Sequence, residues 1–403
     1  MRNPIFLICI LCFAIRLVFC YSVFPVFGLP FIESEDIDNF GSIAVNMIHG
    51  HGFVFKPGLS PTLFREPLYP LFLAAIYSVF GENLLAVQFM QTLLGTLTCL
   101  VIYLIAKEIF EKKTAILSAF IFTLYPLFIW YTARIWVETL FTFLLSILVL
   151  VLVKFLKSPS ILKASALGFI LGVINLCKSN LLLFPIVLLF ALLVSSRYKK
   201  KETLLSFCSM FVFMSLVIAP WTYRNYAVSG HFIPVQIFGV DVIAGDINVE
   251  RNIGFKDYTM PTLGEAEKIY KEIVLSVESK TGRKLDLVER EAAIWNYLLH
   301  KYLSSPAFFF RKVATEFVQL WYLGGDKLRC LLFASMQLTL LIPSLFGIIY
   351  AARRNQFILP LMLIISYFVI VYSISVGVAR YSLPIMPYVG IFAAYWMGMK
   401  MRF

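Results

Sequence analysis

MRNPIFLICILCFAIRLVFC (residues 1–20) is followed twelve residues later by ESEDIDNFGSIAVNMIHGHGF (residues 33–53). The first stretch is apolar enough to make most of a membrane span. The second places Glu33, Glu35, Asp36 and Asp38 just beyond its exit. Acids in that position belong either to a solvated loop or to a site at the membrane surface.

The rest of the chain reads the same way. Of its 403 residues 60% are hydrophobic and 14% charged, where a soluble globular domain is about 45–50% apolar and about 25% charged. The composition is that of an all-α polytopic membrane protein. The formal charge of +12 comes largely from Lys and Arg in short loops between apolar stretches, and no nucleic-acid-binding motif accompanies it. Cys9, Cys12, Cys20, Cys99, Cys177, Cys208 and Cys330 lie in or beside apolar stretches. They read as small packing residues, Cys9-x-x-Cys12 included, and not as a disulfide framework. The N-terminus has the basic start and apolar core of a signal peptide but no small-x-small cleavage site, and Arg16 interrupts it. It is expected to be an uncleaved first span, with Arg16 facing the bundle or snorkelling to the surface.

Candidate spans are 5–23, 83–106, 114–131, 137–156, 162–177, 181–196, 203–220, 330–351, 356–376 and 382–399, a bundle of about ten or more transmembrane helices. With Arg2 cytoplasmic, the inward loops carry Lys107, Lys112 and Lys113, then Lys154, Lys157 and Lys163, then Arg197 and Lys199–Lys201, then Arg353 and Arg354, and finally Lys400 and Arg402. The short outward loops carry only Arg134, Lys178 and Arg380. The stretches 67–81 and 307–325 suit helices lying at the outer interface, and 268–303 has the apolar periodicity of soluble amphipathic helix. The expected organisation is an N-terminal transmembrane module (1–220) that includes a first outward loop (24–82), an outward cap (221–329) and C-terminal transmembrane helices (330–403).

Within 33–53, Ile37, Phe40, Ala44, Met47 and Ile48 fall on one face of a short helix. Its expected N-cap is near Ser34 or Asp36 and its end near Gly50 or Gly52, with Asp36 and Phe40 as i, i+4 neighbours. Carboxylates at a helix start are favoured by the macrodipole, so these acids have a purely structural reading too.

Further motifs favour the functional one. The order Asp36, Phe40, Ala44, Gly50, Gly52, Phe53, then Pro61-Thr62, then Arg65-Glu66-Pro-Leu-Tyr-Pro and FGENLLAVQFMQTLLG, resembles the first outward loop of membrane glycosyltransferases of the GT-C fold, in the family of bacterial protein O-mannosyltransferases and lipid A aminoarabinose transferases. ARIWVETL (133–140), with Glu138 at the acidic position, resembles that family's second outward loop. APWTYRNYAVSGHFIPV (219–235), with Arg224 and Asn225, resembles its Pro-Trp-x-x-Arg-Asn stretch, and ARYSLPIMPY (379–388), with Arg380, its late Arg-Tyr-x-x-Pro motif. Phe40 departs from the commoner Tyr, and Lys178 in CKSN stands where an Arg-Pro pair is frequent.

The resemblance implies an inverting transfer of sugar from a polyprenyl-phosphate-linked donor to an acceptor hydroxyl or phosphate, at the outer face of a bacterial inner membrane. Such a reaction needs a carboxylate base and cations for the leaving phosphate. It implies Asp36 as the general base, with Glu35 and Asp38 as rivals and Glu66 and Asn225 as further candidates. Glu138 joins Asp36 in the catalytic set. Arg65, Lys178, Arg224 and Arg380 are the expected phosphate ligands; the alternative for each is snorkelling to headgroups. Arg134 has the spacing to pair with Glu138 at i, i+4. Partners would be the donor lipid, surrounding membrane lipid and an acceptor that is lipid, glycan or protein, with no nucleic acid. No cofactor is required by the sequence; a divalent metal on Asp or Glu is compatible with it, and His49-x-His51 reads as a loop pair. A lipid or sugar transporter is the alternative function, disfavoured because the acids sit in outward loops and not at mid-membrane.

Overall fold

The structure is a computed structural model and describes residues 4–25, 39–195, 199–237, 239–251, 263–354 and 356–400. Glu33, Glu35, Asp36 and Asp38 therefore lie outside the described residues. Every regular element among those residues is helical. In chain order these are α1 (Pro4–Val18, continued by a π-helical turn over Phe19–Val23), α2 (Phe40–Ile48), α3 (Leu68–Phe80), α4 (Leu84–Ile109), α5 (Lys112–Leu124), α6 (Pro126–Thr132), α7 (Glu138–Lys157), α8 (Ile161–Cys177), α9 (Phe184–Val194), α10 (Lys200–Ser229), α11 (Gly239–Glu250), α12 (Leu263–Thr281), α13 (Leu287–Ser304), α14 (Pro306–Gln319), α15 (Lys327–Arg353), α16 (Leu359–Ile374), α17 (Ala379–Ser382) and α18 (Met386–Lys400).

The chain is an all-α polytopic membrane protein. Among the described residues five helical segments, Pro4–Val23, α4, α7, α10 and α15, are long and apolar enough to cross a bilayer, or six if α5 and α6 form one span bent by 54°. The remaining apolar stretches fold as shorter helices. The expected single span at 114–131 is thus broken: Pro126 has no N–H to continue α5 and holds Tyr125 extended (ψ 116). The helix expected to start near Ser34 or Asp36 begins instead at Phe40, because its cap, Asn39, is left-handed (φ 59). The expected i, i+4 relation of Asp36 and Phe40 lies outside the described residues.

Small residues bring the helices together. Gly168 and Gly172 on α8 lie against α10, and a Cβ on Gly168 would stand 2.1 Å from the Met210 carbonyl oxygen. Backbones packed that closely gain van der Waals contact where lipid offers no hydrophobic driving force. The outer faces of α10 and α15 carry exposed Phe211, Leu216, Leu331 and Leu345, as a lipid-facing surface requires.

The bundle has two chemically distinct ends. Lys157 at the end of α7 is 3.0 Å from Glu108 near the end of α4, and Phe110 stacks on Tyr395 of α18 at 4.3 Å. Lysine-rich helix ends therefore gather at one side. Glu138, Lys178 and Arg380 lie at the opposite ends of the same helices. Beyond that opposite end α11–α13 form a separate small core of Val242, Ile243, Ile247, Val274, Ile294 and Leu298. Asp286 starts α13 with a capping box closed by Glu289.

Candidate active site

Glu138 is the first residue of α7. Its carboxylate is 1% exposed and accepts a hydrogen bond from Arg380 Nε at 2.5 Å, with Lys178 Nζ 3.8 Å from the same oxygen. Its second oxygen, Oε2, is buried with no hydrogen-bond partner. Arg380 and Lys178 remain only 18% and 15% exposed. Three segments from distant parts of the sequence thus bring one carboxylate and two cations together. A negative side chain at the start of α7 is favoured by the helix dipole.

Aromatic faces line this cluster. Arg380 lies over Trp136 at 4.2 Å and Lys178 over Tyr381 at 4.5 Å. Arg134 is held between Trp130 and Trp136, at 4.9 Å from each ring. Such cation–π seats strengthen in a desolvated setting. These cations are therefore turned to protein, not to headgroups. The expected i, i+4 pairing of Arg134 with Glu138 has no helix to support it, since α7 starts at Glu138 itself and the ion pairs of Glu138 run to Arg380 and Lys178.

Glu66 approaches from the other side. It accepts from the backbone N–H of Ser179 at 2.9 Å and from the Ser179 hydroxyl at 3.1 Å. Burial pushes its carboxyl above the ordinary carboxylate range, against the pull of the Ser179 bonds and the nearby Lys178 charge. Glu66 thus fixes the turn carrying Lys178. Gln236 donates to the same Ser179 hydroxyl at 3.2 Å, and the Ile237 N–H donates to Leu63 O at 3.2 Å. The loop after α10 is stitched in this way to residues 62–66.

Arg65 lies 5.9 Å from the Phe40 ring. Arg224 donates to Thr62 O at 2.8 Å and sits over Trp221 at 4.6 Å and Phe53 at 5.3 Å. Asn225 proves to be an internal brace: fully buried, its amide donates to Ile233 O at 3.1 Å and Val235 O at 2.9 Å. It shapes the loop after α10 and does not face the carboxylate. His49 is 3.8 Å from Glu82, both about half exposed (56% and 50%). No group of three or more potential metal ligands occurs among the described residues.

Arg16 faces the bundle and is 0% exposed. Gly95 makes room for it, since a Cβ there would be 2.8 Å from Arg16 Nε. One guanidinium nitrogen donates to Cys12 Sγ at 2.7 Å, while Nε and Nη2 are buried without partners. Arg16 and Glu138 line the same small cavity, together with Tyr131 and Thr142.

The structure thus joins Glu138, Lys178, Arg380 and Glu66 in one contiguous site and ties Arg65 and Arg224 to its rim. Sequence reasoning missed Ser179, Trp136, Tyr381 and Gln236. The signal for two of them was present: an aromatic flanks Glu138 in ARIWVETL and Arg380 in ARYSLP, as cation–π seats demand.

Comparison with known proteins defines the class. The fold is the GT-C fold of membrane glycosyltransferases. The apo oligosaccharyltransferase of Archaeoglobus fulgidus superposes with a TM-score of 0.59 at 14% identity, over 98% of this chain and 50% of that one. The archaeal oligosaccharyltransferase AglB from the same organism, in complex with an inhibitory peptide and a dolichol-phosphate, gives 0.54 at 13% identity over 90% and 46%. This chain thus spans about half the length of those enzymes. ArnT from Cupriavidus metallidurans bound to undecaprenyl phosphate aligns at a TM-score of 0.42 and 13% identity, over 90% of this chain and 72% of its own. In particular, residues 61–223 match the family of dolichyl-phosphate-mannose-protein mannosyltransferases, a segment that includes Arg65, Glu66, Glu138 and Lys178. No curated protein matches by sequence.

Proposed function

We propose that this protein is a glycosyltransferase that moves a sugar from a polyprenyl-phosphate-linked donor to an acceptor at the outer face of the membrane, with inversion. The observation that carries the reading is the convergence of Arg380 and Lys178 on the buried carboxylate of Glu138, at the bundle end away from the lysine-rich loops. An anionic lipid head reaching that end meets two cations gathered on one buried carboxylate. Arg380 offers a planar fork to phosphate oxygens and Lys178 a point charge. As the bond from the anomeric carbon to phosphate oxygen breaks, negative charge grows on that phosphate, and preorganised cations stabilise it. Arg65 and Arg224 extend the positive rim. The family match over 61–223 supports a lipid-linked donor, and the lysine bias of the opposite end supports an outward site.

The acceptor's proton requires a base. Asp36 is our choice, from its position in the first outward loop. Glu138 holds and orients the cations, with its free oxygen left to face the reacting groups. Lipid, glycan and protein are the acceptor classes to assay.

The test is reconstitution of the full chain in liposomes with a polyprenyl-phosphate sugar and a cell-envelope extract as acceptor source. Transfer of labelled sugar, abolished by Asp36→Asn in a protein that still binds polyprenyl phosphate, is the expected result. A wild-type protein that neither binds polyprenyl phosphate nor transfers sugar from any such donor refutes the proposal. If Asp36→Asn stays active while Glu35→Gln or Asp38→Asn fails, the base moves to that residue.

A further inference from the structure

Arg380 follows a non-helical segment, Ser375–Val378, between α16 and α17. That segment is held at two backbone amides. The Ala379 N–H donates to Leu323 O at 3.0 Å, and the Gly377 N–H donates to Glu316 Oε2. Glu316 lies on α14 and is 0% exposed. Its other oxygen accepts from the Asn248 amide at 3.4 Å. One turn earlier Lys312, also 0% exposed, is 3.0 Å from Asp246. Asp246 in turn accepts from Lys301 at 2.7 Å and from the Tyr302 hydroxyl at 2.7 Å. A continuous polar path therefore runs from the cap helices α11 and α13, through α14, to the backbone beside Arg380.

The approach is close enough to demand glycine on both sides. A Cβ on Gly245 would stand 2.1 Å from Ser375 O, and one on Gly377 would stand 2.1 Å from Glu316 O. Apolar side chains could hold the cap to the bundle without the desolvation cost of Lys312 and Glu316. What they could not do is accept a hydrogen bond from one chosen N–H three residues before Arg380.

We infer that Glu316 is a positioning residue for Arg380: by holding the Gly377 N–H it sets the guanidinium on Glu138 and couples the cap to the membrane site. The inference rests on the proposed role of Arg380 as a phosphate ligand and deepens it.

Two measurements on the full chain in detergent test it. The first is amide exchange of a peptide covering 375–381. Glu316→Ala should raise exchange at Gly377 and its neighbours roughly tenfold, while Glu316→Gln should largely retain protection. A Gln carbonyl still accepts from Gly377, and its amide can donate to Asn248 Oδ1, which has no partner in the native protein. The second is binding of polyprenyl monophosphate in a double-mutant cycle with Arg380→Lys. Glu316→Ala should weaken binding roughly tenfold in the native background and by less than about twofold beside Arg380→Lys. Unchanged exchange in folded Glu316→Ala, or fully additive losses in the cycle, overturns the inference. Should Glu316→Ala not fold, Asn248→Ala removes only the group bracing Glu316 and must raise exchange in the same peptide. A wild-type chain that does not bind the lipid phosphate refutes the proposed function, while the exchange experiment still decides whether Glu316 positions this segment.

Discussion

Replacing Glu138 by Gln should tighten the binding of polyprenyl phosphate while stopping transfer. Gln is nearly isosteric, and its carbonyl can still accept from Arg380 Nε, so the geometry survives while the negative charge is lost. In the native protein that charge is shared by Arg380 at 2.5 Å and Lys178 at 3.8 Å. At an effective dielectric of about 20 the two attractions are roughly 7 and 4 kcal/mol before desolvation is counted. A phosphate that docks on the same cations must do so against the carboxylate. With the phosphorus about 7 Å from Glu138, the repulsion is about 2 kcal/mol at that dielectric, or roughly thirtyfold in affinity. Gln removes it. The opposing cost falls on the fold: two cations at 18% and 15% exposure lose the charge of Glu138, and deleting one partner of a buried pair typically costs about 3–5 kcal/mol. The assay is titration of purified protein with polyprenyl monophosphate at fixed ionic strength, beside a thermal melt in the same detergent. The expected pattern is a lower melting midpoint that the lipid phosphate restores, tighter binding and no sugar transfer. Unchanged or weaker binding by a folded Glu138→Gln protein would show that Arg380 and Lys178 do not hold phosphate.

Arg16→Met should stabilise the protein by about 1–3 kcal/mol in a detergent melt, because it removes a buried cation with two unpartnered nitrogens. The same change should weaken lipid-phosphate binding, because Arg16 shares a cavity with Glu138; a destabilised Met variant contradicts this. Gly168→Ala should lower the melting midpoint by the equivalent of about 1–3 kcal/mol, since α8 and α10 must part. Gly390→Ala, whose Cβ would meet only Ile121 Cγ2 at 3.5 Å, should be tolerated, and equal effects would argue against the close helix approach. Burial pushes Glu316 up to about 8 in the folded protein, so the fold binds that proton more tightly than the unfolded chain. Stability should be greatest below about pH 4.5, fall by at most about 5 kcal/mol between there and pH 8, and level off above. Glu316→Gln should remove that component of the slope in melts taken across this range.

The membrane class, the helical stretches and most of the cation set could be read directly from the sequence, for identifiable reasons. Apolar runs bounded by Lys and Arg report lipid exposure one residue at a time, and Lys107, Lys157 and Lys163 mark their ends without reference to any partner. Breaks within a run are harder. Pro126 announces one, yet the tilt it produces depends on what α5 and α6 pack against. Asn39 starts α2 from a left-handed backbone that the acids before it in the sequence do not foretell. The ion pairs are the least visible layer. Glu138 has Arg134 at helical spacing, and only the tertiary approach of two remote segments reveals Arg380 and Lys178 as its ion-pair partners. Asn225 and Glu66 read as site polar residues from motif position alone, whereas burial and their hydrogen bonds to Val235 and Ser179 make the first a loop brace and the second the anchor of the Lys178 turn.

Trp136 has a practical consequence. Its ring lies 4.9 Å from the Arg134 guanidinium and 4.2 Å from that of Arg380, so two positive charges set the electric field across one indole. Fluorescence of that side chain, isolated by replacing the other tryptophans with phenylalanine, should change colour when Arg380 shifts. The protein thereby carries a native optical gauge of its own occupancy, readable in a stopped-flow cuvette without a labelled lipid or a known acceptor.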